Sequence, residues 1–501
     1  MKICMLVYNS VTRDSRVMRE ASTLQAAGHQ VTVVGIPDAD SDTPVETAEL
    51  GVTIHRVDWQ PDALRRLRRF APLRIVPSLI VFGLAVWGLI ALPGLARAAF
   101  AGFLAAVLIY LHWRVSRMSK TPPDILKRHA QALFSGTLTQ GEFAKPTSLF
   151  PLWIPEFLLE LALEPVDRLR GPLSSFVLYR YRAQAVAKHA ISLKPDVIHA
   201  HDCTTLPAAV QVKKALGIPL VYDAHEIYEA QAARRFGAVD YYIRIHRKFL
   251  RYVDRFITIN RCAANFYRDA YPSLPRAVLI RNASQRVAPF HYDGRLHEVA
   301  GLPLNEKILL YQGSYTGERG LQTLVRAAAL LEPGWTLVMM GWGPLDSELR
   351  ALAANSLKVR FVSAAPRREL PFWTAGATTG IVPYENTVLN HWICTPNKLW
   401  EYPAVGVPLI VQPFPELSDV VETYGCGWIL PDKFSEGGIA ARVNCLTDDM
   451  IARAREGCRR FIDADCWEAA YRQPLIDLYD SIASQRAANV SPIPGVMKAA
   501  Q

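Results

Sequence analysis

The 501-residue sequence predicts an α/β protein: two Rossmann-like, doubly wound domains facing a cleft, with a membrane helical hairpin inserted in the first. Three observations lead there. Short apolar strands alternate with helical stretches in two separate series, the pattern of parallel sheets covered by crossover helices. The first series is interrupted by about 140 residues where a crossover needs about 30. The interruption contains SLIVFGLAVWGLIALPGLA, too apolar and too long for a surface helix.

Lys2 to Val7 reads as a buried first strand. After a polar loop, Val17, Ala21 and Leu24 recur at helical spacing between Arg16 and Ala27, and Gly28 ends that helix. Strands at Val31–Val34, Val52–Val57, Val197–Ala200, Leu220–Tyr222, Phe256–Ile259 and Val278–Ile280 complete the first series. The second runs through ILLYQG from Ile308, TLVMMG (336–341), VRFV (359–362), TGIVPY (379–384), PLIV (408–411) and GWIL (427–430). This gives domains over 1–283 and 284–465, joined near Asn282–Gly301, then a last helix over 466–486 and a loose tail over 487–501. Such sheets bind ligands at the carboxyl ends of their strands, so a cleft between the domains is expected.

The insertion spans about 60–180, and its residues 75–113 hold one fully charged side chain, Arg97. Ile75–Leu92 makes about 27 Å of helix and Ala98–Trp113 about 24 Å, against a hydrocarbon core of about 30 Å. Pro93 and Gly94 separate them. Both ends rejoin one domain, so the number of crossings is even. A two-span hairpin places Arg97 at the far headgroups, whereas a shallow dip leaves it in hydrocarbon at about 2.5–3.5 kcal/mol. The plain alternative, two buried helices of a soluble domain, gives the flanking arginines no role. Residues 61–120 carry nine Lys or Arg against Asp62, which is +8 of the net +10. Charge concentrated beside an apolar stretch suits anionic headgroups and a cytoplasmic face of the inner membrane better than nucleic acid. The basic aromatic helix Tyr241–Arg255 suits either the same surface or plain solvent. The eight cysteines are scattered, with no CxxC and no zinc spacing, as expected of small hydrophobes in a reducing compartment.

Two segments carry candidate chemistry. QGSYTGERG (312–320) lies between a strand and a helix; its glycines permit close backbone approach, the helix offers free N–H groups, and Arg319 adds a guanidinium. In HWICTPNKLWEY (391–402), Thr395 reads as an N-cap and Pro396 as the first helical residue. Lys398 and Glu401 then share one face near the helix N-terminus, where an ammonium suits a diphosphate and a carboxylate one turn on suits a ribose.

These segments, with MGWGP, DSRVMREASTLQAAGH, KPDVIHAHD and YDAHE, resemble glycosyltransferases of the GT-B fold, family 4 group, over residues 1–57 and about 190–480. The resemblance implies a nucleotide-sugar donor in the second domain, used as substrate, with no cofactor and no metal. It assigns Arg319 and Lys398 to the leaving diphosphate and Glu401 to the ribose, with Gly313, Gly317, Gly341, Gly343 and Asn397 close to the donor and residues 359–364 framing the base. On the acceptor side it implies Asn9, Asp14, Arg16, Asp202, His225 and Glu226, with His201 as the leading catalytic candidate. One position departs: many members have two glutamates eight apart, the first contacting the transferred sugar, and here that position is Ile393. Glu385, Asn390 and His391 are nearby substitutes. The Asp-x-Asp strings Asp38-Ala-Asp40 and Asp463-Ala-Asp465 read as surface.

The expected function is transfer of a sugar, with retention as the resemblance implies, to a polyprenyl-diphosphate glycan or other glycolipid. The lipid acceptor rests on the hairpin, since a transferase for soluble substrates needs no anchor. Two alternatives stay open, a nucleotide-sugar epimerase and a non-catalytic scaffold subunit. The sequence argues against a dinucleotide-dependent dehydrogenase, because the first strand leads into YNSVTRDSR without GxGxxG.

Overall fold

The computed structural model describes residues 1–59, 94 and 179–490, except 13, 39, 40, 231–237, 432 and 433. The hairpin at 75–113, almost all of the insertion, Arg13, Asp40 and the tail beyond 490 lie outside the described residues. Among the described residues no helix is long and apolar enough to cross a membrane. Contacts divide the chain into one unit of Met1–Asp58 with Ala183–Gln501 and a second unit of Trp59–Arg182. The first unit contains both predicted sheets.

Its first sheet has β1 (Lys2–Leu6), β2 (Gln30–Gly35), β3 (Val45–Thr47), β4 (Thr53–Arg56), β5 (Val197–His201), β6 (Leu220–Ala224), β7 (Arg255–Thr258) and β8 (Ala277–Leu279). They lie in the order β3-β4-β2-β1-β5-β6-β7-β8. All neighbours are parallel except the β3–β4 pair. Strands β1, β5 and β6 are almost continuously buried, as both faces of a parallel sheet demand, which is why they are unbroken apolar runs in sequence. Strand β3 escapes sequence reading: all three of its residues are exposed and carry no alternation. The second sheet has β9 (Lys307–Ser314), β10 (Trp335–Trp342), β11 (Val359–Val362), β12 (Thr379–Val382), β13 (Leu409–Val411) and β14 (Gly427–Ile429). These are parallel, in the order β11-β10-β9-β12-β13-β14.

The helix expected from Thr395 begins three residues later. Lys398–Glu401 is its one regular turn, capped by the Asn397 carbonyl rather than by a Thr395 side chain, because Thr395 is buried and approached by Asn260 Nδ2 at 3.4 Å. The chain then crosses back. Trp467 donates its Nε1–H to Thr23 Oγ1 (2.9 Å), and the helix Arg472–Val490 carries Tyr479, fully buried, to His199 Nδ1 at 2.9 Å. Asp465, read as surface, accepts from the Arg281 guanidinium at 3.2 Å and is mostly buried. The same Arg281 pairs with buried Glu416, so the linker between the sheets is held by a desolvated ion network.

Candidate active site

The site lies at the carboxyl ends of the central strands of both sheets. A cavity of about 350 Å³ is lined by Asn9, Ser10, Asp14, Ser15, Arg16, Asp38, His225 and Asn282 from the first domain side and by Asn397 from the second. Its first wall is the loop after β1. Asn9 Nδ2 donates to Asp14 Oδ2 (2.9 Å) and Asn9 Oδ1 accepts from the Val11 N–H (2.8 Å). Asp14 Oδ1 caps the helix Ser15–Ala26 by accepting from the Val17 N–H at 3.1 Å. Asp38, read from sequence as an unremarkable loop residue, accepts the Ser10 N–H at 3.0 Å. Buried Arg56 props the same loop through the Ser10 carbonyl at 2.8 Å.

Beneath this wall is a buried charge network. Arg16 makes a two-pronged contact with Asp223, both at 2.8 Å, and lies 3.1 Å from Glu20. Its third donor reaches the Ile280 carbonyl at 2.6 Å. Asp223 Oδ2 also meets His225 Nε2 at 2.9 Å, and His225 Nδ1 is 3.2 Å from Asp202 Oδ1. Burial alone lowers an imidazole's pKa, but the Asp202 and Asp223 carboxylates outweigh it and raise His225 to about 9. His225 is therefore an imidazolium at neutral pH, with both N–H groups spent on carboxylates. For Asp223, burial is likewise outweighed, by Arg16 and His225, which hold its carboxyl well below the usual range. Glu20 behaves oppositely: burial and the Asp223 charge together push it up to about 7.

His201, the expected catalytic residue, is placed differently. It is fully buried, 3.3 Å from both Asp223 Oδ2 and His225 Nε2, and stacked on His199 at 4.1 Å between ring centroids. It supports the cavity floor, while His225, with 19% of its side chain exposed, faces the opening. Glu20, His199, His201 and Asp223 bring one ligand-type atom each within 4.8 Å of one another, a grouping suited to a metal by donor type. Arg16 already neutralises that pocket, and a divalent cation would sit against its guanidinium in a desolvated site. Glu20 Oε2 and the Nε2 atoms of His199 and His201 have no hydrogen-bond partner, and burial beside Asp223 favours a proton on Glu20 there. Asp202, one step beyond β5, has φ +67°, a conformation costly for a residue with a side chain and typical of functional turns; Tyr228 O–H donates to its carboxylate. Glu226 is half-buried and accepts from Asn390 Nδ2 at 3.3 Å.

On the second domain, Lys398 packs into the glycine turn. A Cβ on Gly313 (φ +135°) would lie 2.9 Å from Lys398 Nζ, so only glycine leaves the ammonium that position. Glu401 Oε2 accepts from Gln312 Nε2 (2.9 Å), and Gln312 Oε1 accepts from Thr374 Oγ1 (2.8 Å). Arg319 bonds to Thr316 Oγ1 at 2.9 Å and to the Tyr384 hydroxyl, with its guanidinium 4.6 Å over the Tyr384 ring. Gly317 is an exposed residue of the same turn. Gly341 and Gly343 are required by packing: a Cβ on Gly341 would lie 1.9 Å from the Gly313 carbonyl, and one on Gly343 2.5 Å from that of Tyr315. Sequence reasoning missed Glu20, Asp223, Gln312 and Tyr384. The i, i+4 spacing of Arg16 and Glu20 on one helix face was the available signal for Glu20.

Residues 144–283 match the family model for a glycosyl transferase 4-like domain, and residues 306–449 match that for glycosyl transferases group 1. The chain therefore carries two glycosyltransferase-type domains. The chain is 28% identical over 204 residues to the glycosyltransferase YqgM of Bacillus subtilis, covering 38% of this chain and 54% of that protein, so it spans about half the length of that relative. It is 25% identical over 296 residues to glycogen synthase of Mycobacterium tuberculosis, covering 55% and 67%. Among solved structures, sucrose-phosphate synthase of Thermosynechococcus elongatus is similar with TM-score 0.60 at 14% identity, covering 97% of this chain and all of that one. HepE of Anabaena, in complex with UDP and glucose, gives 0.57 at 12%, again over 97% and 100%. WaaG, a glycosyltransferase involved in lipopolysaccharide biosynthesis, gives 0.51 at 13%, over 98% and 100%. At these identities the structural likenesses establish the fold of the glycosyltransferase, not its substrates.

Proposed function

We propose that this chain moves a sugar from a nucleoside-diphosphate sugar to a lipid-linked acceptor at the cytoplasmic face of the inner membrane. The observation that carries the donor half is the Lys398 ammonium seated against the Gly313 turn, one helical turn from the Glu401 carboxylate. A cation set against a glycine turn suits a diphosphate, and a carboxylate held by Gln312 suits two ribose hydroxyls. Arg319 joins Lys398 by leaving its resting place on Tyr384. Stabilisation of the departing diphosphate in a water-poor cleft then supplies the rate, without metal or cofactor. The acceptor approaches from the cavity walled by Asn9, Asp14 and Arg16. His225 contributes fixed positive charge there and not a base, because both its nitrogens are occupied. Attack from the leaving-group face gives retention in this reading. HepE, in complex with UDP and glucose, makes UDP the first diphosphate to test.

The lipid acceptor rests on the sequence of residues 75–113 and their basic flanks. Its test is transfer in membrane vesicles carrying the full chain, supplied in turn with radiolabelled UDP-, GDP- and dTDP-sugars. Label is expected in the organic-extractable lipid fraction, reduced about 100-fold or more in Lys398→Ala. Label confined to water-soluble product would overturn the lipid acceptor, and free sugar nucleotide interconversion would favour the epimerase alternative. The buried Ile393 in place of a sugar-contacting glutamate favours a scaffold subunit as second reading; undiminished function in cells of Lys398→Ala and Glu401→Ala would establish it.

A further inference from the structure

The position at which the family resemblance expects a sugar-contacting carboxylate is Ile393, and polar side chains of the segment before it are the ones available to replace it. Ile393 is 5% exposed, and its carbonyl accepts from Asn260 Nδ2 at 2.7 Å, so nothing polar of that residue reaches the cleft. Of its polar neighbours, Asn390 is fully engaged elsewhere. Its Oδ1 accepts the Ile227 N–H at 3.0 Å, and its Nδ2 donates to the Ile227 carbonyl at 2.9 Å. That amide ties the second domain to the first.

The segment 383–391 runs from the phosphate turn to this tie. At one end the Glu385 N–H donates to the Glu318 carbonyl at 3.1 Å, the Pro383 carbonyl fills the space above Gly320, and Tyr384 holds Arg319. At the other end is Asn390. A sugar in transit lies between the diphosphate on the second domain and the acceptor on the first, so it passes this wall. His391 stands on it, half-buried, its ring 5.6 Å from that of Tyr384. His391 Nδ1 is 3.0 Å from the Glu385 carbonyl. A carbonyl only accepts, so Nδ1 carries a proton, and in the neutral ring the lone pair is then on Nε2.

We propose that His391 Nε2 accepts a hydrogen bond from a hydroxyl of the transferred sugar, making His391 a determinant of donor-sugar specificity. The inference rests on the nucleotide-sugar reading above. An acceptor atom at this position selects donors with a hydroxyl there over the matching deoxy sugar, because the deoxy form leaves Nε2 desolvated and unpaired.

The experiment is calorimetric titration of the detergent-solubilised full chain with UDP and UDP-glucose, and with GDP and GDP-mannose, for the parent, His391→Phe and His391→Gln. The parent is expected to bind one diphosphate. His391→Phe keeps that diphosphate affinity and weakens the matching sugar nucleotide by roughly five- to tenfold. His391→Gln, which returns an acceptor oxygen near the Nε2 position, recovers most of the loss. An unchanged ratio of sugar-nucleotide to diphosphate affinity in His391→Phe overturns the inference while leaving the donor reading intact. So does an equal loss for both ligands, which marks a merely structural role. A parent that binds no diphosphate overturns the donor reading and the inference with it.

Discussion

At the residue scale the protein concentrates ionisable groups where water is scarce. Arg16, Glu20, His201 and Asp223 are all buried, and removing one member of such a set leaves another charge desolvated. The pKa shifts give a signed prediction. Glu20 rises from 4.5 to about 7 on folding, so the native state holds its proton where the unfolded state has released it. The stability it contributes is full below pH 4.5 and is lost as pH rises through 7. His225, raised from 6.5 to about 9, contributes stability that is full below pH 6.5 and lost as pH rises through 9. Glu20→Gln removes only the first window. Thermal melts of this variant are expected to be flatter than the parent between pH 5 and 7 and parallel to it from 7.5 to 9; identical slopes from pH 5 to 7 would rule out a proton held by Glu20 in the native state. Residue identity at the site was partly legible. Asn9, Asp14, Arg16, His225 and Asn397 line one cavity, and the sequence motifs single out all five. Asp223 was not visible, because its meaning comes from Arg16, 207 residues away, and no local pattern encodes that contact. His201 and His225 look alike in sequence; only the packing of Tyr479 and His199 above β5 separates the buried one from the one that faces the cavity.

At the element scale, strands β9 and β10 approach too closely for a side chain at the Gly313–Gly341 pair. Gly341→Ala would set a methyl 1.9 Å from the Gly313 carbonyl, so the strands must part and Gly313 must leave Lys398. We expect a loss of about 1–3 kcal/mol in stability, measured by chemical denaturation, and weaker diphosphate binding in the fraction that folds. Wild-type stability in this variant would show that the turn is looser than its packing indicates. Most strands were legible because parallel sheets buried on both faces produce short unbroken apolar runs. The exposed β3 has no such signature. The start of the helix at Lys398 was misplaced because Thr395 and Pro396 satisfy the local rules for a helix start, while tertiary burial of Thr395 against Asn260 overrides them.

At the scale of the whole molecule, two sheets present their carboxyl ends to one cleft, and three of the ties between them join distant parts of the chain. These are the Asn390 amide on Ile227, the Arg281 network, and the final helix that returns Tyr479 to His199. The two-domain architecture was legible from two series of strands and helices, whereas the ties join residues far apart in sequence and were not. Arg16 and His225 of the first domain and Asn397 of the second, the residue before Lys398, line one opening, so the proposed donor and acceptor halves act together. The proposed donor site requires a nucleoside diphosphate to bind between the Gly313 turn, Lys398 and Glu401. Calorimetric titration of the full chain with UDP, GDP, ADP and dTDP, repeated for Lys398→Ala and Glu401→Ala, decides that point. Saturable binding of one diphosphate is expected, weakened at least tenfold by each substitution; undiminished binding in both variants, or none in the parent, would refute the donor site.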